Sequence, residues 1–320
     1  MSIGYAKISI NNLRKGGNHM AKQKSLTFME FKKKFNGEEA CRKHLFEMRW
    51  PDGFRCPKCK NQSYYFITTR NLFECTSCHY QASVTVGTVM EKTHIKLEKW
   101  FWAIYFVGND KRGCSAVMLS KELEISYKAS WFMLHRIRKA MKDRDSDYML
   151  AGVVELDDAY FGAPRTGGKR GRGTTKSKVV VGLSLNAKGQ PGHLKMQMVD
   201  NLKKETLAEF AHSVIKSGST ISSDAYSSYK NLKNEGFILE AKVYSPMDSE
   251  EHLKWLHTIL SNAKAVIAGT FHGLGGKHLQ RYLDEFCYRF NRRIFDKEMF
   301  NRILMSCTKS QKMTYAELTA

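Results

Sequence analysis

The sequence predicts a multidomain α+β protein, and three features along its 320 residues lead to that prediction. Two Cys-x-x-Cys motifs lie near the N-terminus, and purely helical periodicity follows over residues 95–142. Beyond the charged break at Asp143–Asp147 the apolar residues alternate as in β-strands. We therefore divide the chain into a loose tail, an N-terminal helix with a small cysteine-containing ribbon, a helical region, and an α/β core with C-terminal helices: residues 1–24, 25–93, 94–148 and 149–320.

The two cysteine motifs predict a structural zinc site. Cys56 and Cys59 form one pair, Cys75 and Cys78 form the other, and fifteen residues separate the pairs. This spacing is typical of a zinc ribbon in which four thiolates hold Zn²⁺ in a closed tetrahedron. The alternative is two disulfides or four unrelated buried thiols. No apolar signal-peptide core precedes the motifs, which favours a reducing cytosol and therefore the metal site.

The helical region contains two helices joined by a short turn, over residues 115–123 and 127–141. The second helix is basic, and the pair resembles a helix-turn-helix. An ordinary helical hairpin with a solvated basic face is the alternative. The net charge of +21 and the neighbouring ribbon favour DNA binding, since so basic a protein usually meets a polyanion. The candidate DNA contacts on this helix are Lys128, Arg136, Arg138 and Lys139.

The apolar pattern of the core predicts three consecutive strands, a helix and a fourth strand, which is the element order of a ribonuclease H-like fold. Asp157 is predicted to end the first strand and Asp224 the fourth. Carboxylates at such strand ends can converge at one sheet edge and hold two divalent cations that polarise a phosphodiester. The alternative for either residue alone is a turn former, because Asp commonly terminates strands.

A predicted helix over residues 253–268 adds further candidates. His257 and Lys264 are seven residues apart, so they project from one helix face within about 20°. Asn262 is five residues from His257 and points about 140° away. A lone histidine on a helix is more often structural than a ligand, and the partnership with Lys264 is what makes His257 a candidate.

Four segments match, in order, the motifs of one family. They are Val154–Gly162, the loop Gly167–Gly173, Ser223–Tyr226 and Tyr282–Arg293. From about Ser25 to about Asn301 the chain resembles the bacterial insertion-sequence transposases that join a zinc ribbon to a DDE-type core. The resemblance implies DNA cleavage and strand transfer with two Mg²⁺ or Mn²⁺ ions. Asp157 and Asp224 match the first two catalytic carboxylates, although the sequence does not separate Asp157 from its neighbour Asp158.

The third catalytic position departs from the pattern of the family. Many members carry Glu seven residues before the motif lysine, and here His257 stands seven residues before Lys264. The change removes a negative charge and puts the metal affinity in question, with Asn262 as the fallback ligand. Lys264 is expected to contact a DNA phosphate. A catalytically weakened or inactive DNA-binding regulator is therefore one alternative, and a resolving nuclease without strand transfer is another.

The resemblance also implies the partners. They are double-stranded DNA, as terminal inverted repeats and as target, and a second copy of the chain, since a homodimer or larger oligomer must pair two element ends. We expect a bacterial cytoplasmic protein at the nucleoid, because no run of about eighteen apolar residues predicts a membrane span. A glycine-rich basic loop and the C-terminal helix supply further candidate DNA contacts, with a solvated hairpin loop as the alternative: Arg165, Lys169, Arg170, Arg172, Lys176, Lys178 and Arg292.

Overall fold

The N-terminal part consists of two helices and a small three-stranded sheet. The computed structural model describes residues 26–162, 174–224, 226–242, 252–272 and 274–320. Gly37 at φ +96° separates the two helices, where the sequence pattern predicted a single one. The antiparallel sheet has the order β1-β2-β3. The elements are α1 (Phe28–Lys34), α2 (Glu38–Arg49), β1 (Tyr64–Ile67), β2 (Leu72–Cys75) and β3 (Gln81–Ala82).

The predicted pair of helices is present in the helical region, and its second helix is largely buried. The helices are α3 (Leu97–Asn109), α4 (Ala116–Glu122) and α5 (Tyr127–Asp145). Two more helices follow the core in sequence, α9 (Met299–Lys309) and α10 (Tyr315–Thr319). Residues of α9 such as Ile303 share one hydrophobic core with Phe31, Trp100 and Leu134. Helix α9 therefore completes the core of the N-terminal half.

The core is a five-stranded mixed sheet with the order β6-β5-β4-β7-β8. Strands β4, β5 and β6 are antiparallel, whereas β7 and β8 run parallel to β4. This is the ribonuclease H-like arrangement, and it confirms the predicted fold class. The elements are β4 (Val153–Phe161), β5 (Ser177–Leu185), β6 (Pro191–Val199), α6 (Lys204–Val214), β7 (Thr220–Asp224) and β8 (Ile238–Lys242), followed by α7 (Lys254–Thr270) and α8 (Gly276–Asn291).

Each face of the core sheet packs against a different set of helices. Val154 and Leu156 of β4 lie in the apolar cluster that α6 completes. Ala159 and Phe161, further along the same strand, lie in the cluster formed with α7 and α8. Successive side chains of a strand point to opposite faces, so the residues of β4 that share the parity of Ala159 face α7. No helix in the described ranges is both long and apolar enough to cross a membrane.

Candidate functional site

The four predicted cysteines form a cluster suited to zinc. Their sulfur atoms all lie within 4.8 Å of one another. Sγ of Cys56 is 3.7 Å from Sγ of Cys78, and Sγ of Cys59 is 3.4 Å from Sγ of Cys75. A tetrahedron with Zn–S bonds of about 2.3 Å places its sulfurs about 3.8 Å apart. The cluster therefore fits a structural Zn²⁺ ion, in agreement with the sequence prediction.

The pKa of Cys75 is lowered within this cluster. Burial opposes ionisation of Cys75, but hydrogen bonds from backbone N–H groups and from the Asn61 amide together lower the pKa of its thiol to about 6. By contrast, burial raises the pKa of Cys41 and of Cys114 to about 12. Within the cluster, a backbone hydrogen bond from Tyr80 favours the thiolate of Cys78, but burial and the hydrogen bonds with Cys59, Cys56 and Cys75 together raise the pKa of its thiol to about 12. Metal ligands must be thiolates, so binding of zinc would displace a proton from the cluster.

The predicted carboxylates lie on adjacent strands of the core sheet. In the parallel pairing of β4 with β7, Leu156 is aligned with Ser223, so Asp157 and Asp224 follow at neighbouring positions. Asp224 is the last residue of β7, as predicted. The prediction that Asp157 ends its strand is wrong, because β4 continues to Phe161 through its pairing with β5. The described pairing of β4 with β7 stops at Leu156, so Asp157 is the first residue of β4 beyond that pairing.

His257 is the residue of α7 that meets the first carboxylate. Its Nε2 lies 3.4 Å from Oδ2 of Asp157, and its side chain is 58% exposed. The hydrogen bond and charge of Asp157 raise the pKa of the imidazole, although partial burial opposes the shift. Asn262 lies elsewhere, in the wall of a separate cavity of about 310 Å³ with Lys111 and Arg289. Of the two candidates for the third position, the structure brings His257 to Asp157.

Asp158, which the sequence did not separate from Asp157, faces the other side of the sheet. Its Oδ1 lies 3.5 Å from the hydroxyl of Tyr229, a fully buried residue of the cluster on the α6 side. Asp157 instead faces His257 and accepts the backbone N–H of Asp158 on Oδ1 at 2.7 Å. The alternation of side chains along β4 thus distinguishes the two neighbouring acids.

The donor set at this edge is suited to divalent cations that prefer oxygen and tolerate nitrogen. Asp157 and Asp224 offer carboxylate oxygens, the ligands that Mg²⁺ favours, and His257 offers an imidazole nitrogen, which Mn²⁺ accepts more readily. Among the described residues, the cysteines alone bring three or more ligand atoms mutually within 4.8 Å. Two ions about 4 Å apart would use a wider spread of ligands than one tetrahedral zinc.

Glu155 is a member of the site that the sequence analysis missed. It lies two residues before Asp157 on β4 and is only 6% exposed. Its Oε2 accepts the backbone N–H of Leu256 in α7 at 3.0 Å. Burial raises the pKa of this carboxyl, while that hydrogen bond and the nearby His257 oppose the shift. The signal available in the sequence was an acid with the same strand parity as Asp157.

A basic cavity of about 640 Å³ lies between the end of β4, the C-terminal part of α7 and the start of α8. Lys264, predicted to contact a phosphate, lines it together with Lys176 and His272, and the described residues of the lining include no acidic side chain. The ammonium of Lys264 lies 5.9 Å from the centroid of the Phe161 ring. The cavity therefore presents positive charge at the end of β4, the strand that carries Asp157.

Three predicted DNA contacts are wrong, because the structure uses their guanidinium groups internally. Arg138 is 2% exposed and bonds Oε2 of Glu285 through Nε at 2.8 Å. Arg136 donates to the carbonyl of Met313 at 3.1 Å. Arg292 is buried and paired with Asp145. The second helix of the pair is thus a central packing helix, and Arg136 and Arg138, which were predicted to contact DNA from it, are buried.

The remaining basic candidates vary in accessibility. Lys128 is exposed near the start of α5, with its ammonium 4.5 Å from the ring centroid of Tyr315. Lys139 is half-buried and paired with Asp143, and Lys178 donates to the carbonyl of Asp200 at 3.1 Å. Some members of the predicted basic loop lie outside the described residues: Arg165, Lys169, Arg170 and Arg172.

Models of two domain families match the chain. The ISXO2-like transposase domain matches residues 149–291, and the transposase zinc-ribbon domain matches residues 36–81. An uncharacterized protein in transposable element ISH50 of Halobacterium salinarum is 29% identical over 160 residues. That alignment covers 49% of this chain and 52% of the relative, so the chain spans about half the length of the relative.

Solved structures show more distant likenesses. The catalytic core domain of BIV integrase overlaps with a TM-score of 0.30 at 14% identity, covering 45% of this chain and 85% of that one. A pre-cleavage Mos1 transpososome overlaps with a TM-score of 0.24 at 12% identity, covering 69% and 83%. Overlaps this low do not establish a shared function.

Proposed function

We propose that this chain is an insertion-sequence transposase that joins a zinc ribbon to a DDE-type domain, and that it frees a 3′-OH at the ends of its element and transfers it to target DNA. The observation that carries the proposal is the placement of Asp157 and Asp224 side by side on β4 and β7, with His257 opposite Asp157. Carboxylates placed in this way can share cations next to a bound phosphodiester.

Each side chain has a distinct part in this proposal. Asp157 and Asp224 would hold the cations, with His257 as the third ligand from α7. Divalent cations held by these residues would supply polarisation of the scissile phosphodiester and activation of the attacking water or 3′-hydroxyl. Lys264 and Lys176 line the adjacent cavity and would neutralise the phosphates of the strand being cut. Both steps then use the same in-line arrangement of substrate.

The zinc ribbon is the part of the chain that we assign to recognition of the element ends. Exposed cations and an exposed aromatic side chain lie on it, as in surfaces that bind nucleic acid: Lys58, Lys60, Arg70 and Tyr65. The internal pairing of Arg138 leaves α5 with few free charges, so end recognition rests more on the ribbon than on that helix. A homodimer or larger oligomer would pair the two element ends.

The test is cleavage and joining of a duplex that bears the element end, in the presence of Mn²⁺. Asp224→Asn should abolish both reactions while leaving DNA affinity almost intact, because it removes a metal-binding charge without touching the ribbon. Near-normal strand transfer by this variant would refute the assignment. The DNA that flanks the coding region supplies the substrate, since its terminal repeats are the ends to be cut.

A non-enzymatic DNA-binding regulator is the second candidate, and the imidazole in place of a third carboxylate favours it. The same assay separates the candidates, since a regulator binds the duplex but does not nick it at any Mn²⁺ concentration. Nicked but never joined products would instead indicate a resolving nuclease.

A further inference from the structure

Helix α7, which carries His257, begins without a cap of its own. Its N-cap residue is Leu253, which is 3% exposed, has φ +54° and ψ 24°, and offers no side-chain hydrogen bond to the helix. The first N–H groups of an α-helix have no partner within the helix, and burial makes an unpaired N–H costly. The start of α7 therefore requires an acceptor from elsewhere in the chain.

Glu155 supplies that acceptor from the neighbouring strand. Its Oε2 receives the backbone N–H of Leu256, the third residue of α7, at 3.0 Å. A carboxylate at the positive end of a helix dipole is favourably placed, and here it is almost fully buried. Charge-assisted hydrogen bonds are roughly twice as strong as neutral ones, so this contact is a firm attachment between β4 and α7.

The attachment lies directly beside the candidate metal ligands. Glu155 and Asp157 are two apart on β4 and share one face of the sheet, while Leu256 and His257 are consecutive on α7. The Glu155–Leu256 hydrogen bond and the Asp157–His257 contact are thus neighbouring contacts between β4 and α7. We propose that Glu155 is a positioning residue, which sets the rotation and height of α7 so that His257 stays opposite Asp157.

Packing alone does not fix this geometry. The apolar residues of α7 that lie against the sheet, Leu256, Ile259 and Leu260, attach the helix through non-directional contacts. His257 itself is more than half exposed, so its own surroundings restrain it weakly. The hydrogen bond to Glu155 is directional and specifies one rotation of the helix.

The experiment compares Glu155→Gln with Glu155→Asp in the full chain. Gln keeps the length of the side chain and a carbonyl acceptor but loses the charge, whereas Asp keeps the charge and is one methylene too short to reach Leu256. Thr27→Ala is the matched control, because it also removes the acceptor at the start of a helix. Thr27 accepts the backbone N–H of Glu30 in α1 at 3.2 Å, and it is far from the candidate site in sequence. Hydrogen exchange of peptides from the start of α7 reads the attachment without requiring activity.

We expect Glu155→Asp to speed exchange at the start of α7 by about tenfold, and Glu155→Gln by about threefold or less. The Mn²⁺ concentration that half-saturates cleavage should rise about tenfold in Glu155→Asp and little in Glu155→Gln, the magnitude typical of residues that orient metal ligands. Thr27→Ala should change neither quantity, although it lowers the thermal midpoint.

The proposal would be overturned if Glu155→Gln had larger effects on exchange and on the half-saturating Mn²⁺ concentration than Glu155→Asp. If Glu155→Gln is the more damaging and exchange at α7 is unchanged in Glu155→Asp, the charge of Glu155 matters and its attachment to α7 does not. The inference rests on the proposed function, but exchange is measured on the protein without DNA. Absence of cleavage in the unsubstituted protein would therefore count against the proposed function alone, while the exchange data still decide the part played by Glu155.

Discussion

The pairing of His257 with Asp157 predicts that metal-dependent activity falls in mildly acidic solution. The hydrogen bond and charge of Asp157 raise the pKa of His257 above its ordinary value of about 6.5. A protonated imidazole cannot bind a metal ion, so protons compete with Mn²⁺ at this position. The raised pKa moves the competition above about pH 6.5, the value at which an unperturbed histidine would titrate.

The size of the effect follows from the linkage of one proton to one ligand. Below the pKa of His257 the neutral fraction falls tenfold per pH unit, so the half-saturating Mn²⁺ concentration should rise by about tenfold per unit. The stability contributed by the charged pair has the opposite sign. Because the pKa in the folded state is raised, that contribution is fully present below pH about 6.5 and is lost as the pH rises through the raised value.

The assay is cleavage of an end-bearing duplex, titrated with Mn²⁺ and with Mg²⁺ between pH 5.5 and about 8.5, a range that brackets the histidine pKa. His257→Glu should remove the acid limit from this range, because a carboxylate titrates near pH 4.3, and should shift the preference toward Mg²⁺. Asn262→Ala is the matched control on the same helix and should leave the profile unchanged. The reasoning is refuted if His257→Glu keeps the acid limit, or if Asn262→Ala abolishes cleavage while His257→Ala does not.

The other predictions concern the two structural features that hold the chain together. Arg138→Ala should lower the free energy of unfolding by about 2 kcal/mol in denaturant titrations, because it removes a charge-assisted hydrogen bond of the buried Glu285 and leaves that carboxylate with the longer contact to Arg289 at 3.6 Å. A loss of DNA affinity with unchanged stability would contradict that. Cys75→Ser should reduce bound zinc from about one per chain by elemental analysis and weaken binding to the element end. It should leave the Mn²⁺ dependence of the core unchanged, and retention of a full zinc equivalent would show that the four-sulfur assignment is wrong.

Sequence reasoning located the parts of the molecule that depend on local spacing. The cysteine motifs fixed the ribbon, and the rotation per residue of a helix already separated His257 from Asn262. The order of the strands placed Asp224 at the end of its strand beside the strand of Asp157. Each of these inferences uses positions a few residues apart or the order of elements along the chain.

The errors arose where distant residues determine the outcome. Arg138 appeared to lie on a solvated basic face because its partner Glu285 stands 147 residues away in the chain. Arg292 was misjudged for the same reason, since it pairs with Asp145 across the helical region and the core. Glu155 was missed because its hydrogen bond to the start of α7 is a tertiary contact, and no local sequence motif indicates such a contact.

The most direct test of the account compares two neighbouring acids that differ only in the face of β4 they occupy. Cleavage of an end-bearing duplex in Mn²⁺ should be abolished by Asp157→Asn, whose carboxylate faces His257, with DNA binding retained. Asp158→Asn should keep cleavage within a few-fold of the unsubstituted protein, because that side chain faces Tyr229 on the opposite side of the sheet. Cleavage that survives Asp157→Asn, or that is lost only in Asp158→Asn, would contradict the proposed metal site.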